Sequence, residues 1–224
     1  MNLTTTAPLQ LSVENIFMCP IYRANDPGWL HLDKASDSII AKTIEQHKER
    51  RKKDKEIPKI PNSYHSENLW QHSVFKPFSQ YIMQQMWNIL SNQGYNLEGR
   101  QPLLTECWVQ EFPVEGGFHD IHIHGNNHMS GFYFLKCSNK TSKPFFHDPR
   151  PGKVMTDLKS KATDNSVNYS NSIINYPVRP GDFIFFSSYM PHSYRHYKGT
   201  EKFRFIHFNM QAATLNNIQG VDVK

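Results

Sequence analysis

The chain has 224 residues, 38% of them hydrophobic, enough for one core of ordinary size. A mean hydropathy of -0.63 without any long apolar run argues against a helical membrane span. The opening MNLTTTAPLQLSVENIF lacks the basic-then-apolar pattern of a secretory signal, so a cytoplasmic protein is expected. Cys19, Cys107 and Cys137 are odd in number and form no CxxC pair, which speaks against a zinc ribbon or a disulfide framework.

Two amphipathic helices come first. ASDSIIAKTIEQHKERRKK sets Ile39, Ile40, Thr43 and Ile44 on one side, and VFKPFSQYIMQQMWNILSNQG sets Phe78, Ile82, Met86 and Ile89 at helical spacing, ending at Gly94. Much of the net charge of +5 lies in the run from His47 to Lys59. Such a run can attract phosphate, but Glu49, Asp54 and Glu56 are interleaved in it, as on a solvated helix end. The two prolines of EIPKIPNSYHSENLW make the connection a loop.

From Leu103 the texture changes to short runs of aromatic and β-branched residues. LLTECWVQEF, FHDIHIH, MSGFYFLKC, KPFFHD, SIINYPV, GDFIFFSS, HSYRHY and KFRFIHFNMQ read as eight strands without intervening helices, as in an antiparallel barrel or jelly roll. The expected organisation is a largely helical support region over 1–102, a β core over 103–212 and a tail over 213–224, in one compact domain. The polar segment from Pro149 to Ser172 is long enough to suggest a binding loop, and its stretch from Gly152 a substrate lid.

The stretch FHDIHIHGNNHMSG carries four histidines and an aspartate. By strand alternation Asp120, His122 and His124 share one face and Ile121 and Ile123 the other. With the isoleucines packed on outer helices, the polar triplet lines the interior, where it must be paired or bind a metal. His192, at the start of a later strand, is the candidate distant ligand, which leaves coordination positions open for co-substrates. His128 lies past the GNN turn. The alternative is a half-exposed strand with titrating imidazoles. Arg204 alternates with Phe203 and Phe205. If it points inward it wants a carboxylate, and with none evident in the sequence nearby a ligand would supply it. The other possibility is a surface arginine.

In order, HIHGNNHMSGFYFL, FFHDPRP, GDFIFFSSYMPHSYRHY and FRFIHFNM resemble the 2-oxoglutarate- and Fe(II)-dependent oxygenase family of the type common in phages and marine bacteria, over about residues 104–210. Ser130, Gly131 and Tyr133 match the family's strand after the His pair, Asp148, Pro149 and Arg150 its turn, and Asn209 the end of its last strand. Gly125 replaces the usual proline and Tyr189 the usual tryptophan. The resemblance implies a mainly β double-stranded β-helix (jelly roll) with N-terminal helices packed outside. It implies Fe(II) on His122, His124 and His192, and Arg204 on the far carboxylate of 2-oxoglutarate, with Tyr133 and Asn209 as further co-substrate contacts. The wider superfamily uses His-x-Asp where His124 stands, so Asp120 is the alternative third ligand. The implied activity is a dioxygenase that uses O2 and 2-oxoglutarate, hydroxylates a protein, nucleobase or metabolite, and releases succinate and CO2. The alternatives are a cupin-like metal-binding protein and a virion-associated structural or interaction protein.

Overall fold

A computed structural model describes residues 10, 12, 14–114, 116–155, 167–197 and 199–214. Among these described residues, ten strands form two antiparallel sheets. In chain order they are β1 (Ile21–Asn25), β2 (Tyr64–His65), β3 (Arg100–Phe112), β4 (Gly117–His122), β5 (Met129–Lys136), β6 (Pro144–His147), β7 (Ile173–Asn175), β8 (Asp182–Ser187), β9 (His192–Tyr197) and β10 (Phe203–Thr214). The larger sheet runs β1-β8-β5-β10-β3-β2 and the smaller β4-β9-β6-β7, which together make the expected jelly roll. β1 and β2 are too short, and too weakly patterned, to announce themselves in the sequence. Of the stretch expected to form a lid, 156–166 lie outside the described residues, as do 215–224 of the tail.

The larger sheet is buried on both faces. On its outer side lie α1 (Leu32–Lys53) and α2 (Lys76–Asn92), the latter with a proline in its first turn. They bury Leu32, Ile39, Ile40, Phe78, Ile82 and Met86 against Tyr133, Phe183, Ile206, Phe208 and Met210. Gly131 is required there: a Cβ on it would lie 2.3 Å from the Phe208 ring. Between the sheets a second core gathers Phe112, Phe132, Phe134, Phe146, Phe186, Tyr194, Phe203 and Phe205. The basic run ends α1 as a solvated surface, with exposed Lys48–Glu45 and Lys52–Glu49 pairs.

Among the described residues no helix is long and apolar enough to cross a membrane.

Candidate metal centre

β4 and β9 run antiparallel at the mouth of the space between the sheets, with His122 directly opposite His192. Between His119 and His122 the register shifts: His119 pairs with Tyr194, two residues from His192 on β9, although three residues separate the histidines on β4. This bulge changes which residues face inward. His119 and His122 line the cavity, and Asp120 turns out to solvent. The expectation that Asp120, His122 and His124 share a face is therefore corrected, because alternation breaks at the bulge. Asp120 serves through its backbone carbonyl, which accepts a hydrogen bond from His122 Nδ1 at 2.7 Å. Ile121 and Ile123 do not pack on the helices as expected. They are 62% and 55% exposed, because the smaller sheet carries no helical layer.

The chain continues past β4 with the His124 amide donating to the Ser188 carbonyl. This holds His124 beside the other two: ring centroids are 4.2 Å apart for His122 and His192, 4.9 Å for His124 and His192, and 5.0 Å for His122 and His124. One ligand atom from each lies within 4.8 Å of the others. Each ring is also turned the same way. His122 Nδ1 donates to the Asp120 carbonyl, His192 Nδ1 to the Met190 carbonyl at 3.0 Å, and His124 Nδ1 meets Asn209 Oδ1 at 2.6 Å. A carbonyl only accepts, so each Nδ1 carries the proton and each Nε2 keeps a lone pair for a cation.

Burial holds these rings neutral. It pushes His119 and His124 down to about 4, lowers His122, and drives His192 and His207 well below the ordinary histidine range, with neighbouring imidazoles adding to the effect for His119, His192 and His207. Neutral imidazole is the form that binds a metal.

Sequence reasoning missed several residues of this site. The inward face of β10 carries Phe203, Phe205, His207 and Asn209, and opposite it on β3 stand Phe112, Gln110, Trp108 and Glu106. Glu106, His124 and His207 form a second ligand group. With His124 Nδ1 held by Asn209, the ring has one nitrogen to give, so one ion takes one set or the other. The cavity, about 370 Å³, is lined by His65, His119, His122, His124, His192 and His207 with Glu106, Trp108, Gln110, Phe132 and Tyr194 among its other walls. Counting back in twos from Asn209 was the signal that could have found His207. Nothing in the loop before β2 pointed to His65.

Arg204 and Tyr133 are not in this cavity, and both assignments are corrected. Arg204 does face opposite to Phe203 and Phe205, but those two phenylalanines are the inward residues, so the guanidinium points to the helices. There it finds three protein carboxylates: Nε donates to Glu111 Oε2 at 2.6 Å, and Nη1 to Asp37 Oδ1 at 2.7 Å and Asp33 Oδ1 at 3.2 Å. Tyr133 lies on the same helix-facing side, its hydroxyl donating to the Asp26 carbonyl at 2.9 Å. Asn209 is inside, but against His124 and Glu106. His128 is exposed beyond the turn, its Nδ1 accepting from the Ala212 amide. Among the described residues that line the cavity none is lysine or arginine.

The fold is a jelly roll, a double-stranded β-helix, and the three oriented imidazoles between its sheets could hold a metal ion. Residues 106–209 match the family described as "Putative 2OG-Fe(II) oxygenase". That segment, just under half of the chain, holds β4 to β9 and the facing parts of β3 and β10, and over it the chain is similar to that family. Among solved structures, a Pseudomonas putida prolyl-4-hydroxylase aligns at 11% identity and TM-score 0.53, over 86% of this chain and 92% of that one. HygX from Streptomyces hygroscopicus, solved with nickel and 2-oxoglutarate bound, aligns at 9% identity and TM-score 0.51, over 86% and 83%. These likenesses are of fold. An oxidoreductase of the 2OG-Fe(II) oxygenase family from Burkholderia pseudomallei aligns at 9% identity and TM-score 0.38, over 51% of this chain and 47% of that one, so this chain spans under half of its length. No curated protein sequence matches the chain.

Proposed function

We propose that the protein is a non-haem Fe(II)- and 2-oxoglutarate-dependent dioxygenase that hydroxylates its substrate, with His122, His124 and His192 as the iron ligands. The observation that carries this reading is the common orientation of the three rings, each with Nδ1 bonded away and Nε2 turned free at the cavity mouth. The family match over 106–209 supports it. Fe(II) held by these three residues would supply O2 activation coupled to decarboxylation of 2-oxoglutarate to succinate and CO2.

The protein's own part is orientation and exclusion of water. The Asp120 and Met190 carbonyls and Asn209 hold the rings in their ligating tautomer, as outer hydrogen bonds do in metal sites generally. Phe132 and Phe186 pack against the His192 ring, which is 1% exposed, and keep that side dry. Three ligands from one chain would leave coordination positions for a chelating 2-oxo acid and for O2.

The test is anaerobic titration of the metal-free protein with Fe(II) and 2-oxoglutarate, following the weak visible charge-transfer band of the chelate, then admission of O2 and assay of succinate. A band that needs both additions, followed by succinate, is the expected result. Bound metal without a band would instead favour a cupin-like metal-binding protein.

A further inference from the structure

Arg204, which the sequence offered as the anchor for a dicarboxylate, is held by three protein carboxylates on the far side of the larger sheet. The cavity beside the histidines has no lysine or arginine among its described lining residues. It does have hydrogen-bond donors with nothing to bond. Trp108 Nε1, Gln110 Nε2 and Tyr194 Oη are sealed from solvent and have no hydrogen-bond partner, and all three residues line this cavity. Gln110 and Tyr194 are 3% and 2% exposed.

Their placement is ordered. Tyr194 follows His192 by two residues on β9, so it shares the inward face one step further along the strand. Trp108 and Gln110 alternate on the inward face of β3, opposite His207 and Phe205 of β10. The Tyr194 ring stacks on Phe205, and Phe132 packs edge-on to both, so the donors sit in an aromatic wall. A buried donor without an acceptor destabilises a fold, and three around one cavity point to an acceptor that arrives with a ligand. A carboxylate has about four acceptor positions on two oxygens and stays ionised when several donors reach it.

We infer that Trp108, Gln110 and Tyr194 form an uncharged cradle for the distal carboxylate of 2-oxoglutarate, in place of a cationic anchor. The inference rests on the function proposed above and adds how this chain would recognise the co-substrate. Specificity then comes from donors that a 2-oxo acid without a second carboxylate leaves unpaired.

The experiment uses the full chain loaded with Mn(II), titrated calorimetrically with 2-oxoglutarate and with pyruvate, which lacks the distal carboxylate. Gln110→Leu and Tyr194→Phe are compared with the parent, and melting of the metal-free proteins is recorded alongside. The expected result is a parent that prefers 2-oxoglutarate. Each variant should lose about ten- to hundred-fold in 2-oxoglutarate affinity, the range for a hydrogen bond to a charged group, with pyruvate affinity unchanged. Neither variant should melt below the parent when metal-free, because each removes an unsatisfied donor. A donor with a structural partner would lower melting instead, and that result would overturn the cradle. Unchanged 2-oxoglutarate affinity in both variants, or equal parent affinity for the two acids, would also overturn it while leaving the oxygenase reading intact. A metal-loaded parent that binds neither acid would overturn both.

Discussion

Arg204→Ala separates a structural arginine from a co-substrate anchor. The guanidinium is 1% exposed, and its strongest partner, Glu111, is itself buried with an 8% exposed side chain. Removing the arginine strands that carboxylate, and breaking a buried pair in this way costs about 3 to 5 kcal/mol. Asp37, more than half exposed, adds little because solvent screens it, although its hydrogen bond from Arg204 holds the carboxyl below its ordinary range. Asp33 loses a 3.2 Å contact but keeps Lys136 at 3.0 Å. The working figure is therefore about 3 to 5 kcal/mol, or a melting temperature lower by about 6 to 20 °C at about 2 to 4 °C per kcal/mol in a chain of this size. Thermal and urea unfolding of the metal-free protein measure it, and adding Glu111→Leu to Arg204→Ala should recover a good part of the loss. A variant that melts like the parent but no longer binds 2-oxoglutarate would refute the reasoning and return Arg204 to the site.

His192→Ala removes the most buried of the three proposed ligands, and the purified protein should retain far less than one equivalent of added Fe(II) or Mn(II) by elemental analysis while remaining folded by circular dichroism. Asn209→Leu leaves all three rings in place but takes the 2.6 Å acceptor from His124 Nδ1, leaving only Ser130 Oγ at 3.2 Å, so metal affinity by competition with a chelator should fall about ten- to hundred-fold. The metal-free protein should lose stability as pH falls from about 6.5 to about 4: the folded values of His119 and His124 are near 4, so over that window the unfolded chain binds more protons. Each of these groups contributes up to about 1.4 kcal/mol per pH unit, and urea midpoints that are flat between pH 7 and 4.5 would contradict it. Binding of 2-oxoglutarate should require prior metal, because the described lining of the cavity has no fixed cation, and calorimetry on the metal-free protein should detect no heat of binding.

The two helices and the eight core strands were legible because period and length agree in each of them. The three histidines were legible too, from a His-x-His pair and a distant partner, and the structure brings them together. What failed was the assignment of faces. The alternation of Arg204 with Phe203 and Phe205 was read correctly, but alternation names two faces without saying which is inside. On β10 both are buried, one under helices and one between sheets, so apolar content could not decide. The carboxylates that hold Arg204 were hidden for a different reason. Asp33 and Asp37 are 171 and 167 residues away, on a helix whose docking no local pattern reveals. Asp120 failed through the bulge, which places three strand residues against two and swaps an aspartate for His119 at the cavity wall.

The two faces of the larger sheet divide the chemistry of the protein between them. Outside, charge is neutralised within the fold: one arginine binds three carboxylates and so ties the start of α1 to β3 and β10. Inside, the described lining carries neutral imidazoles, an indole, two amides, a phenol and the single carboxylate Glu106, so a divalent cation on the histidines would become the dominant positive charge. Low dielectric makes that charge count for more than it would in water. An arginine on the inner face would attract the 2-oxo acid whether or not metal were present. On the function proposed above, placing it outside would make co-substrate capture conditional on the metal and leave neutral donors to read the far end of the ligand.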